Sequence, residues 1–101
     1  MKACCKEYLV EQFGDEDVVN EIYAEYVESM KTKLSETDAA RASGDWLQVD
    51  RAAHAMKGNA LAAGDNAVAE AAIALRNAAK LQNAAEADGL IAQLKELAQE
   101  L

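Results

Sequence analysis

The sequence predicts an all-α protein, an up-down antiparallel four-helix bundle with an additional short N-terminal helix. Three observations carry this. The 101 residues include 23 Ala and no Pro, and the other common residues, Leu, Glu, Lys and Gln, are good helix formers. Aromatic residues make up 5% of the chain and β-branched residues are few, so a sheet is poorly supported. The same punctuation, a Gly stop followed by an Asp N-cap, recurs in "FGDED", "ASGDW" and "AAGDN".

Each helix follows from apolar spacing between those marks. The first, about 3–13, offers Cys5, Leu9 and Phe13 with Tyr8 beside them. Gly14 ends it, Asp15 caps the next, and Glu16 and Asp17 lie in the positive first turn. The second, about 16–42, offers Val19, Ile22, Tyr23, Tyr26, Met30, Leu34 and Thr37. Gly44 then stops the chain and Asp45 caps the third helix, about 46–63, with Gln48 in capping-box position. Its stripe is Trp46, Val49, Ala53, Met56, Ala60 and Ala63. Gly64 and then Asp65 or Asn66 open the fourth, about 66–81, which offers Val68, Ala71, Ala72, Leu75 and Ala79. Asn83 and Glu86 form a last capping box before the fifth, about 84–100, with Leu90, Ile91, Leu94, Leu97 and Leu101. Short connections make the last four helices successive antiparallel neighbours, with the first packed across one end. The whole chain, 1–101, reads as a single domain.

The net charge of −8 argues against a nucleic-acid partner. It divides unevenly: residues 1–50 carry −7 and residues 51–101 carry −1. No apolar run approaches the ~20 residues a membrane span requires, and "MKACCKEYLV" has no long apolar region of a secretory signal. The expectation is a cytoplasmic protein, with Met1 and the lack of a linker pointing to a free-standing one. Cys4 and Cys5 are adjacent and lack companion ligands at metal-binding spacing. They read as small apolar side chains, one facing in and one facing out.

One stretch does not fit a purely structural helix. "RAAHAMKGNALAAG" holds His54, the only histidine, and places Gly58 one turn later, inside the helix. A mid-helix Gly costs about 1 kcal/mol relative to Ala. His54 falls at the edge of the core stripe, and Arg51, Lys57 and Gly58 share its face. Reflection through the turn near 64–65 puts Arg76 at the height of His54 and Lys80 at the height of Asp50. A helix rotated to face that groove would surround the imidazole with up to four cations. A neutral imidazole nitrogen is a nucleophile, and cations stabilise a phosphoryl group in transfer. A lone histidine at a helix edge is also often incidental, and a mid-helix glycine often marks close packing. No Walker or kinase glycine loop is present to bind ATP.

"HAMKGNALAAG" resembles the signature of the histidine-containing phosphotransfer (HPt) domain family. His54, Met56, Lys57, Gly58 and Gly64 match the family's pattern, and the flanks "SGDWLQVDRAAH" and "FGDEDVVNEIYAEYVESM" extend the likeness from about Leu9 to Leu101. The resemblance implies a four-helix bundle whose exposed histidine relays a phosphoryl group between receiver-domain aspartates. His54 would be the phosphoacceptor, Lys57 the charge partner and Gly58 the access residue, with Arg51, Arg76 and Lys80 as secondary cations. Arg76, Asn59 and Asp65 depart from commoner family residues. The implied protein is a phosphocarrier, not an enzyme, and a monomer with no cofactor or metal of its own. Its partner is the receiver domain of a response regulator or hybrid histidine kinase, which binds Mg²⁺. A docking adaptor without transfer, or the phosphoacceptor domain of a larger histidine kinase, are the alternatives.

Overall fold

Five helices account for nearly every residue of the computed structural model, which describes residues 1–101 and contains no strand. They are α1 (Ala3–Phe13), α2 (Glu16–Ala42), α3 (Trp46–Ala62), α4 (Asn66–Lys80) and α5 (Ala84–Gln99). The last three stop one residue short of the spans read from sequence, because Ala63, Leu81 and Glu100 serve as C-caps.

Side chains start four of the helices. Asp15 Oδ1 accepts from the backbone N–H of Asp17 and Val18 at 2.9 and 3.2 Å. Asp45 accepts from Gln48 N–H at 3.2 Å and Asn83 from Glu86 N–H at 3.2 Å. Asp65, rather than Asn66, caps α4. Only Asn83–Glu86 closes a reciprocal pair of side-chain contacts, with Asn83 Nδ2 donating to Glu86 Oε2 at 3.2 Å. The box expected at Asp45 and Gln48 is half-made, since the Asp45 N–H already donates to Ala40 C=O. The turn before α5 has no glycine, and Gln82 takes the left-handed conformation there at φ 52°.

The expected stripes meet in one core. Leu9, Met30, Met56, Leu75 and Leu94 are its largest fully buried side chains, each contributing roughly 1.5–3 kcal/mol through burial. Alanines at 53, 60, 71, 72, 78 and 79 let α3 and α4 approach closely, and these two helices share the most extensive contact in the molecule. α3 also packs on α2, and α4 on α5. Two ion pairs join α2 to α5: Asp38 with Lys95 at 2.8 Å and Arg41 with Asp88 at 2.7 Å. At 27 residues α2 is about 40 Å long and sets the 42 Å long axis.

α1 packs on the early part of α2, with its ring of Tyr8 against Gly64 of the α3–α4 turn. Gly64 has φ 73° and no room for a Cβ beside that ring, so conformation and packing both require glycine. Cys5 and Leu9 are buried and Cys4 is exposed. Phe13, expected in the core, is exposed. It is the last residue of α1, next to the Gly14 stop.

Asp65 holds this end together. It is fully buried, its Oδ1 accepts from Lys2 Nζ at 2.8 Å and its Oδ2 from the Tyr26 hydroxyl at 2.8 Å. The same carboxylate caps α4 through Val68 N–H at 3.4 Å. Burial pushes the Tyr26 hydroxyl strongly upward in pKa, helped by its hydrogen bond to Asp65. Burial likewise pushes the Cys5 thiol up to about 12, with the Asp65 charge adding. For Lys2, burial disfavours the charge, but the hydrogen bond and charge of Asp65 outweigh it and the pKa rises.

Candidate functional site

α3 carries His54 on its outer side, between the buried residues Ala53 and Met56 and solvent. The imidazole is exposed. One turn toward the N-terminus is Asp50, and one turn toward the C-terminus is Gly58. A Cβ added at Gly58 would meet nothing within 4 Å. No neighbouring helix therefore needs this glycine for close packing. Its effect is to leave the surface beside the histidine open.

Arg76 of α4 reaches across to this face. Its Nε donates to Asp50 Oδ1 at 2.9 Å, and its Nη1 lies 3.0 Å from His54 Nδ1. A guanidinium has donors and no acceptor, so Nδ1 is the acceptor in that contact. The two side chains of the ion pair keep 25% and 21% of their exposure, enough for solvent to reach the pair without dissolving it. The forked donor explains how one residue spans two positions a turn apart.

The other cations are arranged differently from the ring expected in sequence. Lys57 is half-buried on the His54 face and forms no ion pair. Arg51 is exposed and lines a groove between α2 and α3 with Lys33, Glu36 and Gln48. Lys80 is exposed in the last turn of α4, where a cation complements the helix dipole. Only Arg76 is joined to the imidazole, and it is itself paired with a carboxylate. The expected four-cation surround is thus one cation in contact, one alongside and two placed elsewhere. Asp50 was missed as a partner, although its spacing of four from His54 was visible; sequence reading set it opposite Lys80, and the reach of Arg76 decided otherwise.

Apolar side chains also frame the site. Leu47 and Leu61, seven residues either side of His54, are 58% and 49% exposed, and two helical turns put them on its face. Ile73, one turn before Arg76 on α4, is 45% exposed. A stripe reading of the core gives no signal for these residues, which lie outside it.

None of the four surface clefts includes His54. The exposed ring lines no cleft, so a reacting partner would have to bring its own pocket. No group of three or more His, Cys, Asp or Glu side chains is positioned to hold a metal ion. No helix is long and apolar enough to cross a membrane.

Comparison with curated proteins and with solved structures gives no significant match. A family model, the Hpt domain, matches residues 21–101. That span begins inside α2 and includes His54, Lys57, Gly58 and Arg76, while α1, where the sequence likeness had begun, lies outside it. Hpt domains serve histidine phosphotransfer in two-component signalling and interact there with receiver domains. An exposed imidazole beside an open helical notch, on an all-helical scaffold, agrees with that assignment, and the chain belongs to the Hpt domain family.

Proposed function

We propose that the chain is a phosphorelay intermediate that accepts a phosphoryl group on His54 from a receiver aspartate, or from a histidine kinase, and passes it to another receiver aspartate. The observation that carries this is the placement of His54: exposed, outside every surface cleft, with Gly58 leaving room on one side and Arg76 within hydrogen-bond reach of the ring on the other. In the transfer the aspartyl O–P bond breaks, an N–P bond forms on the imidazole, and the aspartate leaves as carboxylate. The attacking nitrogen is the one with a free lone pair, and the proton on the other ring nitrogen passes to solvent. Lys57 stands one turn from the ring and balances charge on the phosphoryl oxygens. Gly58 admits the receiver's pocket. The exposed Leu47, Leu61 and Ile73 supply apolar contact around it.

The scaffold reading that accompanies this is an up-down antiparallel bundle of α2–α5. It is supported by pairs whose numbers run oppositely, Asp38 with Lys95 and Arg41 with Asp88, and by the short turns on either side of α4. The chain acts as a monomeric cytoplasmic phosphocarrier, without a cofactor of its own. Mg²⁺ belongs to the receiver's acidic pocket. A docking adaptor would have no need of His54.

The test is a phosphotransfer profile with labelled receivers. The parent protein should gain a label that is acid-labile and alkali-stable, as a phosphoramidate is. His54→Gln should gain none while keeping its helical content. Labelling of that variant at the parent level would exclude His54 as acceptor.

A further inference from the structure

The open side of His54 leads to a cleft. At about 100° per residue, Gly58 and Ala62 lie roughly 40° and 80° round α3 from the ring, and Asn59 roughly 140°. All three are on the side that faces α2, where Asn59 bonds to Ser29. Asp50 and Lys57 lie on the other side, toward α4. Gly58 and Ala62 are exposed, and neither carries a side chain longer than a methyl group. The path between them ends in a cleft of about 270 Å³ between α2 and α3, lined by Ile22, Glu25, Tyr26, Ser29, Asn59 and Ala62.

The polar groups of this cleft are acceptors. Glu25 is exposed and pairs with no cation. Asn59 donates its amide N–H to Ser29 Oγ at 2.6 Å, while its Oδ1 accepts from no group of the chain. No buried side-chain oxygen lacks a partner, so that Oδ1 is open to solvent. No cation of the chain faces the two acceptors: Lys33 and Arg51 line the next groove along, and Lys31 lies 3.8 Å from Glu28. Ile22, Tyr26 and Ala62 supply apolar walls. Acceptors beside apolar walls suit an aliphatic stem with a cationic head, the form shared by lysine and arginine. The volume lies below the roughly 300–1,000 Å³ of small-molecule pockets, and matches a single long side chain.

We propose that the Glu25–Asn59 cleft is a socket for a lysine or arginine side chain of the receiver docked on His54, and that it fixes which way round the receiver sits. The inference rests on the phosphocarrier reading above and adds to it a specificity-determining site. Opposite charges flank the ring, with Lys57 and Arg76 on the α4 side and Glu25 on the α2 side. A receiver that sets its acidic pocket over His54 and Lys57 and a basic side chain on Glu25 is favoured in one orientation. Turned about, it meets like charges at both places. Glu21 and Glu28, one turn either side of Glu25, add to the field, but neither lines the cleft.

The probe is the receiver that labels His54 fastest in the profile above. Transfer from the phosphorylated receiver is followed in single turnovers over a range of concentrations of the chain, which gives a half-saturating concentration and a limiting rate. Glu25→Gln should raise the half-saturating concentration roughly fivefold, the upper end for an exposed ion pair, and leave the limiting rate as it is. Glu21→Gln removes the same charge one turn away and should change the half-saturating concentration by less than about twofold. Ala62→Leu keeps every charge but narrows the cleft, and should raise the half-saturating concentration as well. The exposed lysines and arginines of the receiver are then replaced by alanine one at a time. One of them should weaken transfer to the parent about as much as Glu25→Gln does, and weaken transfer to Glu25→Gln no further, the mark of two groups in contact.

Equal effects of Glu25→Gln and Glu21→Gln overturn the socket and leave a general acidic field. So does a parent-like Glu25→Gln, a change confined to the limiting rate, or a receiver scan in which every substitution adds in full to Glu25→Gln. Each of these leaves the phosphocarrier reading standing. Phosphoramidate, whose N–P bond breaks with loss of ammonia, tests that reading without a receiver. If neither phosphoramidate nor any receiver labels His54 in the parent, the reading has failed and the socket falls with it.

Discussion

Asp65 is fully buried and Asp50 half-buried, and the two hold their cations alike. Asp65 accepts from Lys2 at 2.8 Å and Asp50 from Arg76 at 2.9 Å. Asp65 has no exposure, and its partners come from the N-cap of α1, from α2 and from the start of α4. Asp50 keeps contact with water, and a second N–H group of its cation reaches the exposed His54 ring. A carboxylate–cation pair ties helices together where the carboxylate is enclosed, and meets an exposed imidazole where the pair stays near the surface. Burial, more than the identity of the charges, separates the two roles.

The sharpest break in that comparison comes from removing the enclosed carboxylate. Asp65→Ala takes the acceptor from Tyr26, the cap from α4 and the counter-ion from Lys2. Breaking a buried pair by deleting one partner costs roughly 3–5 kcal/mol. The lower end applies because Lys2 retains 16% exposure and lies 4.0 Å from Glu100. Urea denaturation should show a loss of about 3 kcal/mol. Under conditions where the variant is folded, labelling of His54 should proceed at the parent rate. A loss below about 1 kcal/mol would mean that the clamp breaks even against its desolvation.

Alkaline pH probes the same end without deleting the carboxylate. Lys2, Cys5 and Tyr26 all have raised pKa values, so in each case the folded state binds its proton more tightly than the unfolded chain. Stability from such a group is complete below its unfolded pKa and is lost as pH rises toward the folded one. For Cys5 that window runs from the ordinary 9.0 to about 12. Tyr26 adds a decline beginning near about pH 10. Stability should therefore fall steadily above about pH 9. Tyr26→Phe should start from lower stability yet show a shallower alkaline decline. A flat profile from pH 9 to 11 would show that these groups titrate alike in both states.

These two regions were not equally legible in sequence. The helices were, because Gly–Asp punctuation and apolar period are local signals; Asp15, Asp45 and Asn83 cap where they were expected to. The face of His54 was legible in part, since Lys57 and Gly58 follow from spacing on one helix, whereas Arg51 lines the α2–α3 groove and Asp50 was not read as a neighbour of the ring. What crosses between elements was not. Asp65 read as an N-cap and nothing more, because its partners lie 63 and 39 residues away. Arg76 was placed at the right height, but its bond to Asp50 crosses from α4 to α3 and was not read. Phe13 was misread because period alone cannot say that a short helix has a neighbour only along part of its length.

Gly58 gives a smaller effect that bears on the open side of the comparison. With nothing within 4 Å of an added Cβ, Gly58→Ala should stabilise the protein by up to about 1 kcal/mol, the difference in helix propensity. Gly58→Gln should keep part of that gain and slow receiver transfer several-fold by filling the notch. If the Gln variant transfers as fast as the parent, the notch is not the path of approach. If the Ala variant loses stability, the glycine has a packing role that the structure does not show.

The smallest effects concern the cations that are not joined to the ring. Lys57 shares the His54 face and pairs with no carboxylate, so its charge is free to act on an approaching phosphoryl group. Lys57→Ala should slow transfer a few-fold and change stability by no more than about 0.5 kcal/mol. Arg51 faces the α2–α3 groove and Lys80 the end of α4, so their Ala variants should transfer at nearly the parent rate. Salt should slow receiver encounter in the parent, because complementary charge acts mainly on association. The Lys57 variant should lose part of that dependence, and the Arg51 and Lys80 variants little of it. Equal salt profiles in all three would reduce the cations to a solvated surface. A larger effect at Arg51 than at Lys57 would place the receiver on the α2 side of His54, away from Arg76.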